Sequence, residues 1–458
     1  MDTICAVSTP HGMGGIAVIR VSGDDALDIV QKRWQGKPLA EMATHSAHLG
    51  HILDSQGEIL DEAVLTVFRA PNSFTGEDVV ELSCHGSMWI QQQAVATLID
   101  AGCHAATGGE FTQRAFANGK MDLSQAEAIA DVIASQSRAS HHVAMNQMRG
   151  AFSRQLSTLR SQLLQFVSLI ELELDFSEED VTFADRSRLT TLATDIKTVI
   201  DSLAQSYQAG NAIKNGLPVA IVGPTNAGKS TLLNTLLGDD RALVSDIKGT
   251  TRDVIEDTIV IGGTLLRFIE TAGIREATDV IESMGIERSF KKIDEARIVL
   301  WVVDATAPIA ELEEFHSQIH DHCHDKAVIA VVNKIDATSN QAAIEKIKAL
   351  DSTIRIIEIS AREGTGVELL KQEIITAAAL PQVNDENAVI VTNSRHYHAL
   401  VRAGEAINRT LQGLDSGLSG DLVSQDIREC MHYLGEITGE ISTDDILGEI
   451  FSHFCIGK

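Results

Sequence analysis

Residues 218–237 read PVAIVGPTNAGKSTLLNTLL. The run VAIV (219–222) is strand-like, and STLLNTLL (230–237) is helix-forming. Between them, Gly223-Pro-Thr-Asn-Ala-Gly-Lys-Ser230 fits GxxxxGK[ST]. In that pattern glycines let backbone N–H groups close around phosphate oxygens, the lysine places a point charge on the outer phosphates, and the serine offers a hydroxyl to Mg²⁺. The same pattern arises by chance in long sequences. A strand before it and a helix after it give it weight. Lys229 and Ser230 are therefore expected at the phosphates and at Mg²⁺, with Asn226, Ala227, Gly228 and Thr231 lining the loop.

Downstream, Asn333-Lys334-Ile-Asp336 directly follows the apolar run VIAVV. A carboxylate at Asp336 accepts two hydrogen bonds from guanine's ring N–H and exocyclic amine. Adenine lacks both donors in that arrangement and leaves a buried charge unpaired. Ser360-Ala361, after IRIIEI, completes the base pocket. Between phosphate loop and base reader lie the switch elements. Lys248–Asp253 (KGTTRD) offers Thr251 as a second hydroxyl for Mg²⁺ and a sensor of the γ-phosphate. Glu270-Thr-Ala-Gly273 occupies a DxxG slot, with Glu in place of Asp and the Gly273 N–H at the γ-phosphate. Ras-like enzymes carry a water-orienting Gln next. Here Ile274 stands there, so the catalytic polar group must come from elsewhere. Arg252 and Arg275 are read as salt-bridge or packing residues in preference to fingers acting in cis.

Around these motifs, strand candidates at Val219–Val222, Ile255–Ile261, Leu265–Glu270, Ile298–Val303, Val328–Val332 and Ile354–Ile359 alternate with helical stretches. This predicts a doubly wound, mostly parallel sheet over residues 216–380, a Ras-like P-loop domain. Residues 1–118 mix short strands (Ile16–Val21, Ala63–Phe68, Val79–Ser83) with a helix at Ser87–Asp100 and read as an α+β domain. Residues 119–215 and 381–458 are helical: Leu156, Leu159, Leu163, Phe166 and Ile170, then Leu189, Leu192, Ile196, Val199 and Leu203, then Leu400, Ala403, Ile407, Leu411 and Leu414 repeat at steps of three and four. They are expected to form one discontinuous bundle, into which the α/β domain is inserted. The fold class is thus multidomain α/β.

The chain has 458 residues, 64 acidic and 37 basic, for a formal net charge of −27. Such a surface repels phosphate backbones and opposes a broad nucleic-acid groove. Six cysteines without a CxxC pair suit a reduced, cytoplasmic chain. No secretory signal is expected from MDTICAVSTP, and no apolar stretch reaches the ~18 residues of a membrane span. The acidic run Glu171, Glu173, Asp175, Glu178, Glu179 and Asp180 reads as a solvated helix end and turn rather than a metal site. His11-Gly-Met-Gly-Gly-Ile16 looks like a dinucleotide loop but leads into a strand, not a helix. His320-Asp-His-Cys-His324 admits a metal tract, or imidazoles meeting a helix C-terminus; the second is preferred, because consecutive residues rarely aim at one ion. Cys455-Ile-Gly-Lys458 is a poor prenylation box and leaves structural and functional thiol readings open.

Over its full length the chain resembles the tRNA-modification GTPases of the MnmE/TrmE family. The resemblance rests on GPTNAGKS, DIKGTTRD, ETAGIREATDVIESMGIERS, NSFTGEDVVELSCHG, GEFTQRAFANGKMDLSQAEAIADVI and the ending ITGEISTDDILGEIFSHFCIGK. It implies a homodimer whose GTP domains meet across bound GTP or GDP, with K⁺ held by Asn226, Ser245, Ile247 and Thr250 of this sequence. It implies that Glu282 orients the attacking water through a second water. It also implies a flavin-containing partner protein, with tRNA contacted largely through that partner, and an aminomethyl-type group placed on carbon 5 of the wobble uridine. A 5-formyl- or methylene-type tetrahydrofolate site is implied at Arg20, Glu81, Lys120 and Lys458, beside Cys455. Rival readings are a ribosome-assembly GTPase, a lipid-anchored signalling GTPase and a scaffold. The first calls for a basic RNA-binding module, where this chain has an acidic helical one. The second calls for a better C-terminal box, and the third does not require five nucleotide motifs in order.

Overall fold

In the first hundred residues apolar and polar side chains alternate, and this pattern folds as a seven-stranded sheet. Its strands are β1 (Ile4–Val7), β2 (Ala17–Ser22), β3 (Trp34–Gln35), β4 (Ser46–Leu53), β5 (Ile59–Phe68), β6 (Val79–Cys84) and β7 (His104–Ala105), in the order β3-β4-β5-β6-β2-β1-β7. All pairings are antiparallel except β1 with β7. In β5, Ala63, Leu65 and Val67 point inward while Val64 is exposed, as a sheet with one covered face requires. Helices Ala26–Gln31 and Met88–Ala101 cover the inner face through Ile29, Val30, Ala94 and Leu98. The sequence anticipated β2, β5, β6 and the longer helix to within a few residues. It missed β1, β4 and the two-residue strands β3 and β7, whose apolar content is too short or too broken by His and Gly to declare a period. The His11–Ile16 segment joins β1 to the antiparallel β2, so it lacks the helix a dinucleotide loop opens.

The computed structural model describes residues 2–175, 186–238, 257–270, 290–337, 341–378, 389–442, 444–452, 454, 456 and 457. The chain divides into two units, one of Met1–Ile133, Ala144–Ile200 and Ala399–Lys458, the other of Ala134–Val143 and Asp201–His398.

In the first unit, helix Ala151–Asp175 buries Leu156, Leu159, Leu163, Phe166 and Ile170 and packs on helix Gly420–Thr438, which buries Val423, Ile427, Cys430, Leu434 and Ile437. Arg428 and Glu171 pair across them. Two helices far apart in sequence thus share one seam. The remaining acidic side chains of the 173–180 run lie outside the described residues. In helix Arg186–Asn215 the buried stripe is Leu189, Ala193, Ile196, Ile200 and Leu203. Leu192 and Val199 are only partly buried, because the stripe runs one position on and uses an alanine that a search for large apolar residues passes over. Likewise Thr410 is fully buried beside a half-buried Leu411, its hydroxyl donating to the Ala406 carbonyl.

The C-terminal tail returns to the first sheet. Ile456 bridges to Gly108, and the Ser8 hydroxyl donates to the Gly457 carbonyl at 3.0 Å. At Gly457 φ is +91° and an added Cβ would sit 2.3 Å from the Val7 carbonyl oxygen, so only glycine fits that approach.

In the second unit the apolar runs form a six-stranded sheet: β8 (Leu217–Val222), β9 (Asp257–Ile261), β10 (Thr264–Glu270), β11 (Ile298–Asp304), β12 (Ala327–Asn333) and β13 (Arg355–Glu358), ordered β13-β12-β11-β8-β10-β9. Only β9, at the edge, runs antiparallel. Strand β11 is buried along six of its seven residues, because helices cover both faces of the sheet. Among the described residues no helix is long and apolar enough to cross a membrane.

Candidate functional site

Five parallel strands end on the same edge of this sheet, and the C-terminal ends of β8, β10, β12 and β13 deliver parts of the anticipated site. Strand β8 runs into the loop 223–228, and helix Lys229–Leu237 follows, so the loop's amides and the positive end of the helix share one focus. Asn226 takes a left-handed φ of +65° at the exposed tip. Gly228 has φ +97°, and an added Cβ would stand 2.3 Å from Asn333 Nδ2. A glycine there is what lets β12 approach the loop.

That approach is a buried hydrogen-bonded brace. Asn333 Nδ2 donates to the Ala227 carbonyl at 2.9 Å, and the Ala361 amide donates to Asn333 Oδ1 at 3.0 Å. Thr235 on the helix donates its hydroxyl to the Ala361 carbonyl at 2.7 Å. One buried asparagine thus holds the phosphate loop and the base-pocket loop in fixed register. Ser360, also buried, accepts from the Glu363 amide and anchors the turn at Thr365. Lys229 is buried and its ammonium donates to the Gly223 and Pro224 carbonyls at 2.8 and 2.9 Å, curled over the loop it serves. Ser230 and Thr231 lie in the first turn of the helix with exposed side chains.

Beyond Asn333, Lys334 has φ +67° and its ammonium meets Asp304 Oδ2 at 2.5 Å. Burial pushes the Asp304 carboxyl upward, but hydrogen bonds from Lys334 and from the Thr306 hydroxyl and amide more than offset it and hold the group below the usual carboxylate range. Sequence reasoning passed over Asp304 and Thr235. The signal for Asp304 was an acid ending an apolar run at the height of the base reader; Thr235 gives none. Asp336 is exposed in the turn after Asn333, open to a ligand. Glu270 is the last residue of β10, paired in register with Ile221. Ser245, Ile247, Thr250, Thr251, Gly273, Glu282, Cys455 and Lys458, and the side chain of Glu270, lie outside the described residues.

A second group of anticipated residues sits on the first sheet. Arg20 and Glu81 are cross-strand partners on β2 and β6, and the guanidinium donates twice to Glu81 Oε1, at 2.9 and 2.8 Å. The Arg20 guanidinium also lies 5.2 and 5.7 Å from the ring centres of Phe74 and Phe111. Lys120 donates to the Pro71 carbonyl at 2.8 Å.

Comparison with known proteins agrees with this architecture. Residues 123–455 match the family described as "MnmE helical domain", and residues 3–120 match "GTP-binding protein TrmE N-terminus". Proteins named tRNA modification GTPase MnmE are similar along the whole chain. That of Bacteroides fragilis is 54% identical over 100% of this chain and 99% of its own, and that of Parabacteroides distasonis 53% over 100% of both. The Flavobacterium johnsoniae protein is 50% identical over 100% of this chain and 99% of its own. Among solved structures, Era of Aquifex aeolicus is 30% identical over 41% of this chain and 66% of its own, at a TM-score of 0.30, too low to bear on the fold.

Proposed function

The chain belongs to the MnmE family of tRNA modification GTPases, and from that membership we infer that its GTP hydrolysis, assisted by K⁺, serves modification of the tRNA wobble uridine at carbon 5 together with a flavin-containing partner. The observation that carries the nucleotide half of this reading is the brace at Asn333, which joins a phosphate cradle to a base pocket. The modification half rests on identity to the MnmE proteins over their full length.

The residues present suit the groups this activity uses. Lys229 reaches the β- and γ-phosphates by leaving the loop carbonyls it now contacts, and the loop amides supply the remaining donors. Ser230, at the start of the helix, and Thr251 would hold Mg²⁺. Asn226, at the tip of the loop, would hold K⁺ with Ser245, Ile247 and Thr250. These ions supply positive charge where negative charge builds during phosphoryl transfer. Asp336 selects guanine, and Asp304 positions Lys334 beside the base. Glu282 takes the role of the missing Gln by orienting the attacking water through a second water.

Arg20, its guanidinium against Phe74 and the buried Phe111, and Glu81 offer a cation and a carboxylate to a flat heteroaromatic ligand. They would hold a tetrahydrofolate derivative with Lys120 and Lys458, and such a ligand supplies a one-carbon unit. The domains are assigned as 1–118, 119–215 with 381–458, and 216–380, in a homodimer.

Mass spectrometry of wobble uridines in cells lacking the gene tests the whole reading: the carbon-5 modification disappears, and an unchanged uridine profile refutes it. Glu282→Ala abolishes hydrolysis while GTP still binds; normal turnover in that variant ends the proposal for Glu282.

A further inference from the structure

At the opposite end of the GTP-binding sheet from the phosphate loop lies a cavity of 570 Å³. It opens where β12 and β13 begin, at Ala327–Ile329 and Ile354–Arg355. Strand β12 is seven residues long, so the cavity is about 20 Å from the base reader at the strand's other end. Its rim carries His316, His320, Cys323 and His324 from the end of helix Ile309–His320 and the turn after it, with Asp351 facing them.

The imidazoles are not scattered. The His320 ring centre lies 5.5 Å from that of His316 and 4.8 Å from that of His324. Two imidazoles on one zinc ion have metal–nitrogen distances of about 2.0–2.1 Å, which puts their ring centres about 5 Å apart. The observed spacings bracket that figure. One ligand atom each from His320, Asp321 and His324 lie within 4.8 Å of one another. Contraction to the ~3.3 Å of a tetrahedral ion asks only for small side-chain rotations, and all three residues are exposed enough to make them. His316 and His320 lie one helical turn apart on the same side of the helix, and the turn that follows brings His324 to them, whereas His322 turns away, stacks on Phe290 and meets Asp294 at 2.8 Å. The consecutive residues thus split into two sets, and one set converges.

The surroundings favour a cation. Asp351 lines the same cavity and adds a carboxylate to it. Of the two lining cations, Lys326 donates to the Asp294 and Ala296 carbonyls, and Arg355 pairs at 3.1 Å with Glu373, a carboxylate of the same lining.

We propose that His320, Asp321 and His324, with His316 as the fourth ligand, bind a first-row divalent ion of the zinc type. The ion fastens the end of helix Ile309–His320 to the turn that leads into β12. The proposal is independent of the tRNA reading.

The test uses untagged full-length protein saturated with Mg²⁺ and GDP, so that the phosphate site does not take up zinc, and titrates ZnCl₂ in competition with a chromophoric chelator. One zinc per chain is expected, with only nitrogen and oxygen neighbours in X-ray absorption. The double variant H320A/H324A binds zinc at least about tenfold more weakly, while H322A stays within about twofold of the parent. GDP affinity, unchanged in both, certifies folding. Undiminished zinc binding in the double variant overturns the proposal. So does an equal loss in H322A, or a sulfur neighbour to the metal.

Discussion

The two sheets of this chain solve the problem of presenting chemistry in opposite ways. Strand β11 is buried on both faces, so the parallel sheet has no free face for a ligand. Its candidate site residues stand where the strands stop, at Asn333, Lys334, Asp304 and Ser360. The antiparallel sheet buries alternate residues only, and Arg20 and Glu81 emerge side by side from the middle of β2 and β6. In the parallel sheet a core substitution and a site substitution are separate experiments. In the antiparallel sheet they are one residue apart.

The sharpest way to break this contrast is to cut a cavity in the doubly covered strand. Leu300→Ala, in β11, removes a fully buried side chain and is expected to lower stability by about 2–5 kcal/mol in urea unfolding. Val64→Ala, on the open side of β5, is expected to change it by less than about 0.5 kcal/mol. Comparable losses would abolish the distinction. Next in size, Asp336→Ala weakens GTP binding about 100-fold and leaves ATP binding as poor as before, measured as the ratio of the two dissociation constants. Gly228→Ala combines a left-handed backbone with a clash against Asn333, and is expected to destabilise by about 1–3 kcal/mol while lowering GDP affinity.

Smaller again is Asp304→Asn, which releases Lys334 and is expected to weaken GTP binding about three- to tenfold. Because Asp304 titrates below its unfolded value of about 4, its tether is fully present above that pH and is lost as pH falls through the lowered native value; the asparagine variant lacks this acid sensitivity. Least of all, Glu81→Gln shifts stability by under about 1 kcal/mol, since the pair is partly solvated. Folate affinity is the more telling readout there, and no change in either Glu81→Gln or Arg20→Ala counts against that site.

The same contrast explains what could be read from the sequence. Continuous apolar runs such as Ile298–Val303 announce buried parallel strands, and the glycines and lysine of the phosphate loop follow one of them directly. Both survive translation into structure almost residue for residue. Strand β1 was not legible because it is only four residues long, and β4 because alternate residues, His51 among them, face outward and carry no apolar signal. Leu192 and Val199 misled for a related reason: a stripe completed by Ala193 looks displaced when only large side chains are counted. Spacing in the chain likewise hid Asp304, which meets Lys334 only after the sheet sets β11 beside β12. The cluster around His320 is visible as a tract, but its division into converging and diverging imidazoles depends on where the helix ends and how the next turn runs.

The seam between helices Ala151–Asp175 and Gly420–Thr438 has a consequence for biogenesis. At about 5–20 residues per second, the ribosome needs about 10–40 s to make residues 201–398. Through that interval Leu163 and Phe166 have been synthesised and the partner residues Ile427 and Leu434 have not. The nascent host segment therefore waits with an uncovered apolar stripe, a natural client for a holdase, while the inserted nucleotide-binding unit can mature on its own schedule.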